Sequence, residues 1–303
     1  MGLDPRLHSI DVVTLRAPLA LRLRDVGDRS LVSDDLVVTA TDLSPAARRV
    51  ALRATAGGTW TATLLPGMTT TQALDPSAWS ALSRPFEIRV QDRRGRYLPL
   101  RFTTSLPSAD PIAWPDFASL PLAVRQALPP PGSDVGRPPP FVPLFPSIAA
   151  AIPGSRAEVR AHLAIAEAGV PAGNASYAVM AVSVGGQLRG VGIADGEGAV
   201  VVSFPYPLLP TPSPAERAAG TTRFEWPVSI AVFCGRLAVR ADGQPPPLND
   251  ILAQLNRTAS QVLERLDGLA SFPEQILRVG QPLVLRSARA APHKPSSLFL
   301  IPA

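Results

Sequence analysis

Proline is the residue that most restricts how this chain can fold, because 35 of its 303 residues are prolines. A proline inside a helix removes a backbone hydrogen bond and clashes with the preceding turn. Within sheets, proline is confined to edge strands, first positions and bulges. Hydrophobic residues make up 46% of the chain, which is enough to bury a core. The composition therefore predicts a mainly β protein, and the length suits two small domains.

Alternating apolar and polar residues predict strands in the first third of the chain. Leu19, Leu21 and Leu23 alternate with more polar neighbours, and residues 86–92 and 98–103 repeat this period of two. The period is typical of strands with one exposed face. The stretch "QDRRGR" between the last two segments predicts a hairpin in which Gly95 takes a positive φ. We therefore predict a first β-sandwich domain over 1–106.

A proline-rich segment, 107–153, is predicted to join this domain to a second one. Such segments are stiff and extended, yet this one contains Trp114, Phe117, Phe141 and Phe145. These aromatic residues indicate a strap that lies on protein, either its own chain or a neighbour. Alternation returns in 177–182 and 224–234 and predicts a second β-sandwich domain over 154–246.

Two groups of acidic residues could serve catalysis or bind an ion. Asp195 opens the sequence Asp-Gly-Glu-Gly, and Asp34 and Asp35 form the other close pair. Asp caps backbone N–H groups in turns, and Gly supplies positive φ there. We interpret both places as turns rather than catalytic pairs, and an ion at these acidic turns is left open.

No residue pattern in the chain predicts a reaction. His8, His162 and His293 lack metal-ligand spacing. Neither a Gly-x-Ser-x-Gly elbow nor a glycine-rich phosphate loop that opens a helix is present. We therefore expect a non-enzymatic protein with no catalytic, metal-binding or cofactor-binding residue, no cofactor and no small-molecule substrate.

The charge, hydropathy and cysteine content of the chain indicate which partners and which cell compartment to expect. The net charge is +5, but the arginines are scattered apart from the run at 93–96, so no nucleic-acid partner is expected. No uncharged apolar run reaches the roughly 20 residues of a membrane span, so no membrane insertion is expected. Cys234, predicted to face the core, is the only cysteine and excludes an internal disulfide. These features, with no apolar leader at the start, predict assembly in the cytoplasm, and release as part of a particle is left open.

The last segment, 247–303, is predicted to combine an amphipathic helix with an extended tail. Apolar residues recur at steps of three and four between 252 and 269, which predicts one helical stripe. The apolar tip of the tail is costly to leave in water. We interpret both parts as an assembly element separable from the sandwiches. Packing of the helix on the same chain or on another is left open, whereas the tip is expected to find no place in an isolated chain, because each sandwich already has its own alternating core. The predicted interaction residues are Leu252, Leu255, Val262, Leu266, Leu298, Phe299, Leu300 and Ile301.

Two stretches carry a family resemblance. "DVGDRSLVSDDLVVTAT" followed by "AGGTWTATLLPG" resembles a carboxypeptidase-regulatory-like domain of the transthyretin type. "GVGIADGEGAVVVSFPYP" is similar to the turn of such domains, with Ala194-Asp195 and Gly198 in matching places, but Val200 stands where an aromatic residue is common. Together with "PFEIRVQDRRGRYLPLRFTTSLP", these stretches resemble proteins that accompany phage-tail-like contractile injection clusters in bacteria. The resemblance covers about residues 10–106 and 157–210.

The resemblance implies a structural role. It points to a non-enzymatic assembly subunit, such as a baseplate, collar or cap component of a contractile injection particle. The implied partners are other protein subunits of the assembly or a second copy of the chain. The alternative is a soluble carbohydrate- or surface-binding β-sandwich module, which needs an exposed aromatic platform. The tryptophans available for one are Trp60, Trp79, Trp114 and Trp226.

Overall fold

The computed structural model describes residues 16–114, 116–128, 134, 136–167, 170–208, 224–235, 237, 243–265, 270–287 and 297–303. Within them the chain is mainly β, as the proline content predicts. The strands of the first half are β1 Leu19–Asp25, β2 Leu36–Asp42, β3 Arg49–Ala51, β4 Arg53–Ala54, β5 Thr59–Ala62, β6 Arg84–Asp92, β7 Leu100–Leu106 and β8 Val142–Leu144. Those of the second half are β9 Arg156–Glu167, β10 Val170–Asn174, β11 Val179–Val184, β12 Gln187–Ile193, β13 Ala199–Pro205, β14 Glu225–Phe233, β15 Gln261–Val262, β16 Gln275–Arg278, β17 Leu283–Leu285 and β18 Ser297–Ile301.

The helices are short. They are α1 Thr70–Leu74, α2 Trp79–Leu82, α3 Leu122–Ala127 and α4 Leu248–Ala253, with 3₁₀ turns at Pro76–Ala78, Phe117–Ser119 and Gln254–Asn256. Across the ranges given above, no helix has the length and apolar character needed to cross a bilayer.

Two four-stranded sheets form the first sandwich. Their strand orders are β4-β5-β1-β8 and β3-β2-β6-β7, and side chains from both enter one buried cluster. Leu21 of β1 is fully buried while its neighbour Arg22 is exposed, so the predicted alternation is confirmed. Gly95 has a φ of +67° between β6 and β7, which confirms the predicted turn.

The proline-rich strap lies on its own chain. The four aromatic side chains that suggested this, Trp114, Phe117, Phe141 and Phe145, are all buried in the cluster of the first sandwich. The strap also supplies β8, which pairs parallel to β1, and α3, which packs against β12. It therefore both completes a sheet of the first sandwich and contacts the second.

The second sandwich is organised around the long strand β9. One of its sheets has the order β12-β11-β14-β16, and the other has the order β10-β9-β18-β15 with β13 and β17 also paired to β9. β13 and β10 pair antiparallel to β9, whereas β17 and β18 pair parallel to it. Met180, Val202 and Trp226 are buried between the two sheets.

The C-terminal helix is much shorter than the predicted stripe. α4 ends at Ala253 and a 3₁₀ turn ends at Asn256, and Val262 lies in β15 instead of a helix. Leu266 and Leu269 fall outside the described residues. An isolated short helix is marginal in water, and this segment gains sheet hydrogen bonds instead. Ser260 N–H donates to Val232 C=O at 2.7 Å, and Phe272 N–H donates to Val262 C=O at 2.9 Å.

The C-terminal tail is the strand β18 of the second sandwich. Leu298 and Leu300 are fully buried in its core, while Phe299 packs on the opposite face of the sheet against Ala164 and Leu263. The expectation that the isolated chain has no place for this tip is therefore wrong. β9 is long enough to pair with β17 and then with β18 along the same side. The local alternation of apolar and polar residues does not reveal this pairing.

An apolar seam joins the two sandwiches. α4 packs against β7, and the outer face of the sheet that contains β11 and β12 covers the same region. The seam residues share one buried cluster with the core of the first sandwich; they are Leu248, Ile251, Leu252, Leu255, Val179, Ala181, Val191 and Ile193. A separate ion pair also joins the two sandwiches: Arg156 Nη1 at the start of β9 is 3.1 Å from Asp25 Oδ1 at the end of β1, and Tyr97 Oη donates to Asp25 Oδ2 at 2.9 Å.

Candidate functional site

The interaction residues predicted from the sequence are mostly buried in the chain's own core. Leu252 and Leu255 lie in the seam, and Val262, Leu298 and Leu300 lie in the second sandwich. Phe299 is buried on the opposite face of the same sheet, where Ile301 is partly buried. Leu266 is outside the described residues. A partner could reach the buried side chains only by displacing part of this fold.

Asp195 bends the chain between β12 and β13. Its Oδ1 accepts hydrogen bonds from the N–H groups of Glu197 and Ala199, both at 2.9 Å. Its own N–H donates to Ala199 C=O at 2.9 Å. Gly198 has a φ of +87°, and a Cβ there would lie 2.4 Å from the carbonyl oxygen of Leu163. The turn needs both residue types for backbone reasons, which agrees with the interpretation made from the sequence.

We expect Asp195→Ala to lower stability without affecting association. Removal of the carboxylate leaves two N–H groups without their acceptor, which typically costs about 0.5–2 kcal/mol of unfolding free energy. The measurement is thermal unfolding followed by circular dichroism, with Glu197→Ala, a neighbour whose side chain caps no backbone group of this turn, as the matched control. A loss of association at unchanged melting temperature would instead make Asp195 a contact or ligand.

The other acidic pair is held by arginines of the β6–β7 hairpin. Asp34 Oδ2 lies 3.0 Å from Arg96 Nη1, and Asp35 Oδ2 lies 2.8 Å from Arg94 Nη2. The hydrogen bond from Arg96 lowers the pKa of Asp34. A general acid needs a raised pKa, so this environment suits a structural carboxylate that fixes the hairpin to the start of β2.

The four tryptophans that a carbohydrate platform would use are buried. Trp60, Trp79, Trp114 and Trp226 expose between 2% and 7% of their surface. Trp79 Nε1 donates to Gln72 C=O at 2.9 Å, and Trp226 stacks on Tyr206 with ring centroids 5.7 Å apart. These rings belong to the cores of the two sandwiches and form no exposed stacking face.

Two open grooves lie along the second sandwich, and the larger is also lined by residues of the first sandwich and of the strap. The larger, about 1050 Å³, runs past Arg29, Arg189 and Tyr206. The other, about 710 Å³, is lined by Ile165 and Cys234 among others. Cys234 is half-buried rather than fully buried, and burial raises the pKa of its thiol. Within the described ranges, no group of three or more His, Cys, Asp or Glu side chains is placed to hold a metal ion.

Apolar side chains are exposed where β16 forms the end of its sheet. In the strand order β12-β11-β14-β16, the outer side of β16 pairs with no strand of the described chain. Ile276 of β16 is 48% exposed on the face of the sheet that points away from the core. Phe224 and Val279, each more than 40% exposed, extend the paired strands β14 and β16 on the opposite face, which also carries Leu277. We call β16 together with Glu274, Phe224 and Val279 the open edge.

Sequence reasoning missed the open edge. Ile276 and Leu277 are adjacent apolar residues, so the period of two assigns neither of them to a single face. Leu277 is fully buried, whereas Ile276 points outward. The one signal in the sequence that could have marked the open edge is this pair of adjacent apolar residues. They point to opposite faces of the strand, so at the edge of a sheet with one buried face one of them is exposed.

Comparison with known proteins gives little further guidance. Neither protein-family models nor curated proteins match the chain. Among solved structures, a match is the Bacillus anthracis TIE protein, with a TM-score of 0.22 and 9% sequence identity over 70% of this chain. The match spans about 28% of the length of that protein. A likeness this weak does not establish a shared fold.

Proposed function

We propose that this chain is a non-enzymatic structural subunit that associates with other protein subunits in a larger assembly. The observation that carries the proposal is the open edge, a strand edge with exposed apolar side chains that pairs with no other strand of the described residues. An unpaired strand offers backbone hydrogen bonds to a partner, and exposed apolar side chains at such an edge favour an interaction there.

The hydrogen bonds and ion pairs of the aspartate side chains support the same proposal. Asp195 serves a turn, Asp34 and Asp35 are ion-paired with arginines, and Asp25 joins the two sandwiches. Asp34, Asp35 and Asp195, the aspartates considered for catalysis from the sequence, thus each have a structural partner. The alternative of a carbohydrate-binding module is less well supported, because the four tryptophans are buried.

The particle itself is proposed from the sequence resemblance. We infer a component of a bacterial phage-tail-like contractile injection particle, in a baseplate, collar or cap position, assembled in the cytoplasm. The resemblance in residues 10–106 and 157–210 supports this context, and the open edge supplies a surface for it.

The test is co-sedimentation with particles. The tagged chain is expressed in cells that assemble sheathed particles, and in matched cells that lack the sheath and tube proteins. We expect the chain in the particle pellet of the first cells and in the supernatant of the second. A chain that stays in the supernatant while particles form normally contradicts the proposal, and retention on a glycan array would then favour the binding module.

A further inference from the structure

The backbone register shows which groups of β16 point away from the sheet. β16 pairs antiparallel with β14, with Ile276 opposite Pro227 and Leu277 opposite Trp226. Val279 N–H donates to Phe224 C=O at 3.3 Å. Hydrogen-bonded pairs alternate along an antiparallel ladder, so Leu277 and Gln275 bond to β14, whereas Ile276 does not. Pro227 has no N–H to offer, which agrees with this register. The N–H and C=O of Ile276 therefore face the open side.

The side chains of this strand suit a partner strand better than solvent. Edge strands that must stay single are usually protected by charged residues. The edge strands β3 and β4 of the first sandwich expose Arg49 and Arg53. β16 instead exposes Ile276 at its centre. Its flanking charges are of opposite sign, with Glu274 before the isoleucine and Arg278 after it, both exposed. Arg278 Nε also lies 3.0 Å from Glu225 Oε1 of the neighbouring strand β14, and its side chain remains 60% exposed.

We propose that a second copy of this chain pairs with β16 in an antiparallel register centred on Ile276. This inference rests on the proposed function and names the partner. In that register the outward N–H and C=O groups of the two Ile276 residues bond to each other. Glu274 then faces Arg278 of the partner subunit, and Arg278 faces Glu274 of the partner subunit. The segment is self-complementary because its charges are symmetric about Ile276.

A second copy explains the pattern better than an unrelated strand would. A two-fold interface brings each residue of the patch against the same patch, so opposite charges must lie at equal distances from an apolar centre. Glu274 and Arg278 each lie two residues from Ile276, on the same face of the strand. Phe224 and Val279 lie at the same end of the sheet but on its other face, so the apolar contact at the two-fold axis is made by the two Ile276 side chains.

The first experiment measures the oligomeric state of the purified full-length chain. Sedimentation velocity at concentrations up to about 100 µM is expected to show a species of twice the 31.9 kDa chain mass. Ile276→Lys places two like charges at the two-fold axis and is expected to weaken association by on the order of tenfold or more. The matched control is Ile148→Lys, since Ile148 is equally exposed at 45% but lies outside the open edge.

A charge exchange tests the register. Glu274→Arg puts like charges opposite each other at both ends of the paired strands and is expected to weaken association by about tenfold. Glu274→Arg combined with Arg278→Glu restores opposite charges across the two-fold axis and is expected to recover most of it. The exchange series is made in chains that also carry Glu225→Gln, because Glu225 Oε1 lies 3.0 Å from Arg278 Nε and would repel a second carboxylate there. Circular dichroism checks that every variant remains folded. A wild-type chain that is monomeric throughout overturns the inference, and so does a dimer unaffected by Ile276→Lys or not recovered by the exchange. Neither result bears on particle incorporation, which the co-sedimentation measures separately.

Discussion

A chain truncated after Ser287 is expected to lose the cooperative unfolding of its second sandwich. The truncation removes β18, in which Leu298 and Leu300 are fully buried and Phe299 is 2% exposed. Shortening a single buried leucine to alanine costs about 2–5 kcal/mol, and whole domains are stable by only about 5–15 kcal/mol. Removal of three such side chains, together with the hydrogen bonds to β9, exceeds what one sandwich can tolerate. Thermal unfolding and amide hydrogen exchange measure the effect.

The control for this truncation keeps the strand. A chain that ends at Ile301 lacks only Pro302 and Ala303, which are exposed, and is expected to unfold at the wild-type temperature. If the chain truncated after Ser287 also melts cooperatively within a few degrees of wild type, β18 is dispensable. The tail would then be available to partners, as the sequence had suggested.

Local patterns in the sequence predicted local structure well. Leu19, Leu21 and Leu23 define one face of β1 because side chains alternate along any strand. The turn at Asp195 is equally local, since its carboxylate bonds residues two and four positions further on. The positive φ of Gly95 also follows from its place in a tight hairpin. Each of these predictions depends on a few neighbouring residues only.

Pairing between distant segments could not be predicted in the same way. β18 lies beside β9, more than 130 residues earlier in the chain, and no local pattern encodes such a partner. The steps of three and four after Leu252 fit a helix, yet Val262 is placed by its strand partner Leu300. The exposure of Ile276 depends on which strand ends the sheet. For this reason the open edge emerged only from the sheet order, while the predicted interaction residues proved to be core.

The largest effect of a single substitution is expected at the ion pair between β6 and β7. Glu87 and Arg101 are 5% and 3% exposed, and Arg101 Nη1 lies 2.9 Å from Glu87 Oε2. Arg101 Nε donates to Pro245 C=O just before α4. Glu87→Leu leaves this arginine buried beside an uncharged side chain, which is expected to cost about 3–5 kcal/mol of unfolding free energy. Urea unfolding at neutral pH measures the loss.

Companion variants separate the charge effect from packing. Arg101→Leu is expected to cost less than Glu87→Leu, because Glu87 keeps Arg89, whose Nε lies 2.6 Å from Glu87 Oε1. The double variant Glu87→Leu/Arg101→Leu removes both charges and is expected to recover much of the stability lost in Glu87→Leu. Additive losses in the double variant would mean that packing, and not an unpaired charge, sets the cost.

The same pair predicts how stability responds to acid. Burial alone would raise the pKa of Glu87, but hydrogen bonds from Arg89 and Arg101 outweigh it and hold the pKa below its ordinary value. The stability gained from this carboxylate is therefore complete above its unfolded pKa of about 4.3 and is lost as the pH falls through the lower folded pKa. We expect the gap in unfolding free energy between wild type and Glu87→Leu to be constant above about pH 5 and to narrow below it. A gap that stays constant down to pH 3 would show that the carboxylate charge contributes nothing to the difference.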